Sequence, residues 1–205
     1  MPRYKNPALS NLAVFEPLEY AEFVKLYYDK VADNEFRNLL LFTFLIGPRP
    51  HEAYVIKREN VEYERNYLIF KLMTLKGGIK RIIYIPIINN ETEALAKFVL
   101  EKKFPKEPVF KEMYMYKNPR DYFIKRCYEN KVGRVYDGVF YPFSFYFFRH
   151  NILTLLSQNG ADMFDLLIYK GASLRFLFKS LGHYLHFSQQ RAIKIANILK
   201  KIMKK

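Results

Sequence analysis

Two arginines, Arg49 and Arg149, are the residues of this sequence best placed to do chemistry. Each closes an apolar run with helical spacing, and a cation at the edge of a buried helix is rarely there for solubility alone. Guanidinium presents paired N–H donors in the geometry that phosphate oxygens accept. If the fold brings the two side chains together, they form a clamp for one phosphate group.

The composition is that of a globular and strongly basic protein. The chain has 205 residues, of which 50% are hydrophobic, so it can form one large domain or two small ones with a real core. Its net charge of +14 favours nucleic acid or an acidic surface as the partner. Charge alone leaves open a ribosomal or merely basic protein.

No targeting or membrane segment is visible in the sequence. The longest apolar stretch, residues 39–47, is too short to span a bilayer, and the first residues lack the apolar segment of a secretion signal. The single cysteine, Cys127, has no companion for an internal disulfide or a metal cluster. We therefore expect a cytoplasmic protein with no membrane partner.

The spacing of the apolar residues predicts that most of the chain is helical. A first helix begins near residue 17, and a second, over residues 34–45, is so apolar that it should be central. Pro48 and Pro50 end it, and a short helix over residues 53–56 follows. Further helices are predicted over residues 91–103, 121–131, 143–158, 163–169 and 174–181, with a basic amphipathic helix over residues 188–203. That last helix either covers its own core or packs on a neighbouring protomer.

Between about residues 61 and 86 the pattern changes to short β-branched and aromatic runs. Lys76, with two glycines after it, separates two of these runs, which predicts a small sheet with a lysine at a hairpin tip. The predicted fold class is therefore mainly α with a small antiparallel β-sheet (α+β). No repeat or linker divides the chain, so we expect a tail over residues 1–16 and one domain over residues 17–205.

Three short motifs follow one another along the chain: residues 47–52 (GPRPHE), residues 74–78 (TLKGG) and Arg149-His150. In this order they resemble the G-x-R-x-x-E box, the hairpin lysine and the second arginine of the tyrosine recombinase (phage integrase) family. The resemblance covers about residue 17 to the end. It implies the catalytic-domain fold of that family, without the separate N-terminal domain that usually precedes it.

The resemblance implies a reaction that needs no metal and no cofactor. In this family a tyrosine attacks a phosphodiester of double-stranded DNA, giving a 3′-phosphotyrosine and a free 5′-hydroxyl, and the copies associate on DNA. Arg49 and Arg149 are the candidates for stabilising the charge that builds up on the phosphate oxygens. Lys76 is the candidate for protonating the leaving oxygen, with Lys80 on the same turn as its rival.

The nucleophile is harder to place, because residues 181–183 (LGH) resemble a family box that precedes the tyrosine by about nine residues. That count ends at Ala192, and no tyrosine follows Tyr184. Counted from Arg149, however, the family's G-H pair falls on residues 171–172 (GA). The spacing therefore argues that the LGH match is a coincidence.

Tyr184 is the predicted nucleophile. Together with His186 it matches the Y-x-H pattern often seen at the attacking tyrosine of the family. Its distance from Arg49, 184 − 49 = 135 positions, is close to the family's usual interval. Tyr169 is the second candidate.

Tyr146 stands where the family's H-x-x-R box has a histidine. The resulting Y-x-x-R variant resembles some archaeal plasmid and virus integrases. A tyrosine hydroxyl can donate a hydrogen bond to the phosphate, but it is a poor general base.

The family's next histidine is also replaced, and three residues compete for its position. They are Ala172, counted forward from the second arginine, Arg175, counted back from the predicted nucleophile, and His183 of the LGH match. Arg175 would supply a third guanidinium. Two functions stay open: an integrase-type strand transferase, and a catalytically degenerate relative that still binds DNA.

Overall fold

The computed structural model of the protein describes residues 16–73, 80–136, 138–171 and 189–204. They form a mainly helical fold with a three-stranded antiparallel sheet and a two-stranded hairpin, which confirms the predicted fold class. The helices are α1 (Tyr20–Leu26), α2 (Asn34–Ile46), α3 (Pro50–Val55), α4 (Asn90–Leu100), α5 (Lys111–Tyr114), α6 (Pro119–Glu129), α7 (Phe145–Gln158), α8 (Met163–Lys170) and α9 (Gln189–Lys204). The strands are β1 (Val61–Glu64), β2 (Tyr67–Met73), β3 (Lys80–Pro86), β4 (Gly133–Tyr136) and β5 (Val139–Pro142).

Helix α2 forms the centre of the core, as its apolar sequence predicted. The Asp33 carboxylate accepts the N–H of Phe36 at 2.8 Å and so caps its first turn. All residues from 39 to 46 are buried, and Phe44 stacks on Phe23 of α1 with ring centroids 4.2 Å apart. Within the part of the chain that the structure describes, neither α2 nor any other helix has the length and apolarity of a membrane span.

The sheet has β2 at its centre, between β1 and β3, and both pairings are antiparallel. The β2–β3 ladder pairs Tyr67 with Pro86 at one end and Met73 with Lys80 at the other. This confirms the predicted hairpin, and β1 adds a third strand through a tight turn onto β2. The tip of the β2–β3 hairpin, residues 74–79, lies outside the described residues.

Helix α9 lies across β3 and also contacts α1 and α7. Its buried side chains are Ala192, Ile195, Ala196, Ile198, Leu199, Ile202 and Met203. Lys200 Nζ of α9 also donates to the hydroxyl of Tyr67 on β2 at 2.8 Å. The helix thus covers the core of its own chain, one of the two arrangements that its sequence allows.

The β4–β5 hairpin and the short helix α5 were not predicted. Both strands of the hairpin are only four residues long, and side chains such as Val135 and Val139 are exposed, so no buried face repeats along them. Helix α6 begins at Pro119, two residues earlier than predicted, because the Asn118 side chain caps it. The helix predicted over residues 174–181 lies outside the described residues.

Candidate active site

Arg49 is fixed at the start of α3. It is the N-cap residue of that helix, and Pro50 occupies the first helical position, where a missing N–H costs nothing. The Arg49 backbone N–H donates to Glu52 Oε2 at 2.8 Å, and its Nη1 lies 3.4 Å from Glu52 Oε1. The Arg49 side chain remains 28% exposed, so its guanidinium can reach a ligand from solution.

Glu52 itself is buried and holds a second guanidinium, that of Arg81 on β3. Arg81 Nη2 donates to Glu52 Oε2 at 2.5 Å, and Arg81 Nη1 donates to the backbone carbonyl of Tyr169 at 2.5 Å. Arg81 is only 2% exposed. One carboxylate therefore links the first turn of α3 to the sheet.

Arg149 lies on α7, and its guanidinium reaches the short backbone segment between α2 and α3 that also contains Arg49. Its Nη1 donates to the Gly47 carbonyl at 2.7 Å, and its Nη2 donates to the Lys170 carbonyl at the end of α8. Gly47 ends α2 in the left-handed region, with φ of 56°, two residues before Arg49. The fold thus brings the two predicted arginines to one short backbone segment.

The three arginines carry more positive charge than Glu52 neutralises. Burial, and after it the neighbouring charges of Arg81 and Arg49, lowers the pKa of Arg149 to about 10. Burial also lowers the pKa of Arg81, although Glu52 opposes this shift. At neutral pH these guanidiniums remain protonated, so the site favours an anion.

Tyr146 lies in the first turn of α7, three positions before Arg149, and therefore on the same side of the helix. The residue is 42% exposed. Its side chain is therefore accessible on the side of α7 that also carries Arg149.

Tyr169, the second candidate for nucleophile, has a different role in this structure. It is buried, and its hydroxyl donates to the carbonyl of Leu45 near the end of α2. Burial raises the pKa of Tyr169, although the charges of Arg81 and Arg149 oppose the shift. A buried phenol that keeps its proton and holds a helix end is poorly suited to attack a phosphate.

Two histidines, His51 and His150, lie within two positions of the predicted arginines in the sequence. Burial lowers the pKa of His51, and the charges of Arg49 and Arg149 add to the shift while Glu52 opposes it. Burial lowers the pKa of His150 too, with Lys170 and Arg149 as further causes. Both side chains are therefore neutral imidazoles at neutral pH.

Three of the six predicted site residues are described, and they are Arg49, Tyr146 and Arg149. The other three, Lys76, Arg175 and Tyr184, lie outside the described residues. So do the alternatives Ala172 and His183, and the side chain of Lys80.

Sequence reasoning missed Arg81. The signal was present, because Arg81 alternates with Ile83 and Ile85 along β3 and all three are buried on the same face of the strand. A charged residue at an inward position of a strand is rare without a buried partner.

The fold has counterparts among solved structures. An integrase from mycobacterium phage Brujita superimposes with a TM-score of 0.53 at 16% identity, over 92% of this chain and 63% of that chain. The XerH site-specific recombinase, bound to its difH substrate in a pre-cleavage complex, superimposes with a TM-score of 0.50 at 20% identity, over 89% of this chain and 55% of that chain. The fold resembles that of tyrosine recombinase catalytic domains.

The chain therefore spans less than two thirds of either of these two proteins. No family model matches the sequence. No curated protein matches it either.

Proposed function

We propose that this protein is a site-specific tyrosine recombinase, which breaks and rejoins double-stranded DNA through a 3′-phosphotyrosine. The observation that carries the proposal is the meeting of Arg49 and Arg149 beside Gly47, with more positive charge than Glu52 neutralises. A phosphodiester under attack gains negative charge on its non-bridging oxygens, and fixed guanidinium donors stabilise that charge. The resemblance of the fold to an integrase and a recombinase supports the same class of reaction.

In the proposed reaction the Tyr184 hydroxyl oxygen forms a bond to phosphorus, and the bond from phosphorus to the 5′-oxygen breaks. The phenolic proton passes to solvent, and Lys76 gives a proton to the departing 5′-oxygen. Arg49 and Arg149 bind the non-bridging oxygens throughout. Rejoining is the reverse, with a 5′-hydroxyl as the attacking group.

Two further residues would complete the site. Tyr146 donates a hydrogen bond to the phosphate in place of the family's histidine, and Arg175 adds a third guanidinium to it. The variant at Tyr146 favours a mobile-element integrase of the archaeal plasmid or virus type. The Tyr169 hydroxyl already donates to the carbonyl of Leu45, which supports Tyr184 as the nucleophile in preference to Tyr169.

Residues 17–205 would act as the catalytic domain, with double-stranded DNA as partner. Exchange of strands requires two duplexes, so the copies of the protein would associate on DNA.

The second candidate function is a DNA-binding relative that has lost cleavage. The observation in its favour is the tyrosine at position 146, because a phenol is a poor general base. The two functions share the DNA affinity and differ in the covalent step.

Formation of a covalent protein–DNA adduct tests the proposal. Binding sites are first selected from random-sequence duplexes, and each selected site is then synthesised with a nick that lets the cleaved end diffuse away. The wild-type protein should accumulate a covalent adduct, and Tyr184→Phe should form none. Tyr63→Phe, at an exposed position of β1, is the matched control and should behave as wild type.

Arg149→Lys is the second variant, because it keeps the charge but loses the paired donors. It should bind the selected duplexes and form adduct about 10²-fold more slowly or worse. Binding without adduct by the wild-type protein would favour the degenerate relative. Absence of binding at moderate salt would contradict both functions.

A further inference from the structure

We propose that Arg81 is a positioning residue for the phosphate clamp, acting through Glu52 on Arg49. The proposal rests on the function proposed above, and it adds a residue that lies outside the three motifs of residues 47–52, 74–78 and 149–150. Arg81 itself does not touch the DNA, because it is 2% exposed and both of its terminal nitrogens already donate to protein acceptors.

The distances show which arginine satisfies Glu52. Arg81 Nη2 lies 2.5 Å from Glu52 Oε2, whereas Arg49 Nη1 lies 3.4 Å from Glu52 Oε1. The buried carboxylate is therefore paired mainly with Arg81, and its contact with the Arg49 guanidinium is long. Because Coulomb attraction in a buried site is strong, this division leaves the charge of Arg49 available to an incoming phosphate.

Without Arg81, Glu52 would have Arg49 as its cationic partner among the contacts described. The carboxylate would then compete with the phosphate for the same guanidinium. It also accepts the Arg49 backbone N–H at 2.8 Å, so any shift of Glu52 moves the start of α3 as well. A displacement of about 1 Å in a catalytic group can cost about 10²-fold in rate.

Arg81 also holds the end of α8 next to Arg149. The carbonyls of Tyr169 and Lys170, the last two residues of α8, accept from Arg81 and Arg149 respectively. Such carbonyls lack partners within their own helix and carry the negative end of its dipole, so they are natural acceptors for guanidinium. The two arginines therefore keep a fixed spacing through two consecutive peptide units.

These contacts require the forked shape of arginine. One terminal nitrogen reaches a carboxylate and the other reaches a backbone carbonyl on a different element, and a single ammonium cannot do both. The Arg81 Nε is buried and has no hydrogen-bond partner among the described residues, so the described hydrogen bonds of the group are those of its two terminal nitrogens.

The variant Arg81→Lys tests the proposal, with the rate of adduct formation and the affinity for the selected duplex measured separately. We expect the rate to fall by about 10²-fold while the affinity stays close to wild type. Arg126→Lys is the matched control, since Arg126 pairs with Asp33 at the opposite end of α2, about 20 Å from Gly47 at 1.5 Å per helical residue. It should cleave as wild type does.

A double-mutant cycle separates positioning from a general loss of packing. Glu52→Gln and Arg81→Met should each slow adduct formation, and the double variant should be no slower than the slower single one, because both act through the same contact. Rates are compared at a temperature at which thermal melting shows every variant to be folded. Additive losses would overturn the proposal, as would a wild-type rate for Arg81→Lys.

A substrate with sulfur as the bridging 5′-atom identifies the step affected. A thiolate leaves without a proton, so this substrate should restore cleavage by Lys76→Ala and leave the defect of Arg81→Lys unchanged. Rescue of Arg81→Lys would mean that Arg81 acts through the proton donor and would overturn the proposal.

A binding measurement keeps the proposal testable even if the wild-type protein forms no adduct. Inorganic phosphate should raise the melting temperature of the wild-type protein above that in chloride at the same ionic strength, and Arg81→Lys should lose this increase. An equal increase in both proteins would overturn the role of Arg81. A failed adduct assay with an intact phosphate effect would contradict only the proposed catalysis.

Discussion

The backbone at Gly47 joins the two predicted site arginines, because it contacts Arg149 and lies two residues before Arg49. Its left-handed φ of 56° ends α2, and its carbonyl accepts from Arg149. A Cβ at this position would lie 2.8 Å from Ile152 Cγ2 and 3.0 Å from Arg149 Cα. Helix α7 can approach the end of α2 this closely only because residue 47 has no side chain.

The substitution Gly47→Ala should therefore disturb both stability and chemistry. We expect a loss of about 1 to 3 kcal/mol in the free energy of unfolding, because an alanine there combines a strained φ with a steric clash. Urea denaturation measures this loss. The rate of adduct formation should fall as well, because α7 must move away and carry Arg149 with it.

Gly138→Ala is the control for the backbone conformation. Gly138 has φ of 73°, and an added Cβ would meet none of the described residues within 4 Å. It should show the conformational cost and a normal rate of cleavage. Equal effects of the two substitutions on the rate would contradict the role assigned to Gly47.

The hydroxyl group of Tyr146 can be tested as the proposed hydrogen-bond donor to the phosphate. Removing its hydroxyl in Tyr146→Phe should slow adduct formation by about 10²-fold, since one donor to the transition state is lost. Tyr146→His should cleave at least as fast as the wild type, because an imidazole can serve the same phosphate. A wild-type rate for Tyr146→Phe, with Tyr63→Phe as control, would show that the phenol is not a donor.

The sequence predicted Arg49 and Arg149 as site residues but did not predict Arg81. Both predicted arginines follow apolar runs within recognisable motifs, so their partnership could be inferred from order alone. Arg81 acquires its role from Glu52 and from the carbonyl of Tyr169, which are 29 and 88 positions away. No local pattern contains such contacts, and only the folded chain brings them together.

Among the elements, α8 and α9 are joined by a cluster of ion pairs. Arg191 Nη1 lies 2.6 Å from Asp165 and 3.1 Å from Asp162, and Lys194 Nζ lies 3.0 Å from Asp162. Asp165 is buried and also accepts from Lys194. The N-terminal end of α8 thus holds the first two turns of α9.

Because of this cluster, the free energy of unfolding should depend on pH in the acidic range. Burial acts to raise the pKa of Asp162, but the N–H of Asp165 and the cations Lys194 and Arg191 outweigh it and hold the pKa below its ordinary value. A lowered pKa gives stabilisation that is complete above the unfolded value, about 3.9, and is lost as the pH falls below it. Asp162→Asn should therefore reduce the dependence of the unfolding free energy on pH between about pH 5 and pH 2.

Urea denaturation at a series of pH values measures this dependence. Asp29→Asn, at an exposed position after α1, is the control and should retain the wild-type profile. A profile of Asp162→Asn that is identical to the wild type would show that the cluster does not contribute to stability in acid.

Elements with a strong apolar pattern were predicted from the sequence, and elements without one were missed. Helix α2 is a long apolar run, the β2–β3 hairpin has β-branched and aromatic runs on either side of a glycine turn, and α7 and α9 have apolar residues at helical spacing. The β4–β5 hairpin has exposed apolar residues, and the hydroxyl of Tyr27, the residue after α1, donates to its Gly133 carbonyl at 2.8 Å. Contacts of this kind depend on tertiary packing and leave no repeat in the sequence.

For the whole molecule, the net charge of +14 should dominate its attraction to DNA. A protein that neutralises six or more phosphates loses about 10³-fold or more in affinity between about 50 and about 200 mM salt. We expect a loss of this size for a selected duplex, measured by fluorescence anisotropy. Arg149→Lys should keep the same dependence of DNA affinity on salt concentration, because it keeps its charge. A fall in wild-type affinity of less than about tenfold over this salt range would contradict a mainly electrostatic affinity.

The connection between α8 and α9 begins and ends at fixed points. Arg81 and Arg149 hold the last carbonyls of α8, and Arg191 holds the start of α9 on Asp165. Helix α8 is therefore anchored by cations at both of its ends, so it should behave as a rigid strut that transmits any shift of α9 to the carbonyls that Arg81 and Arg149 hold.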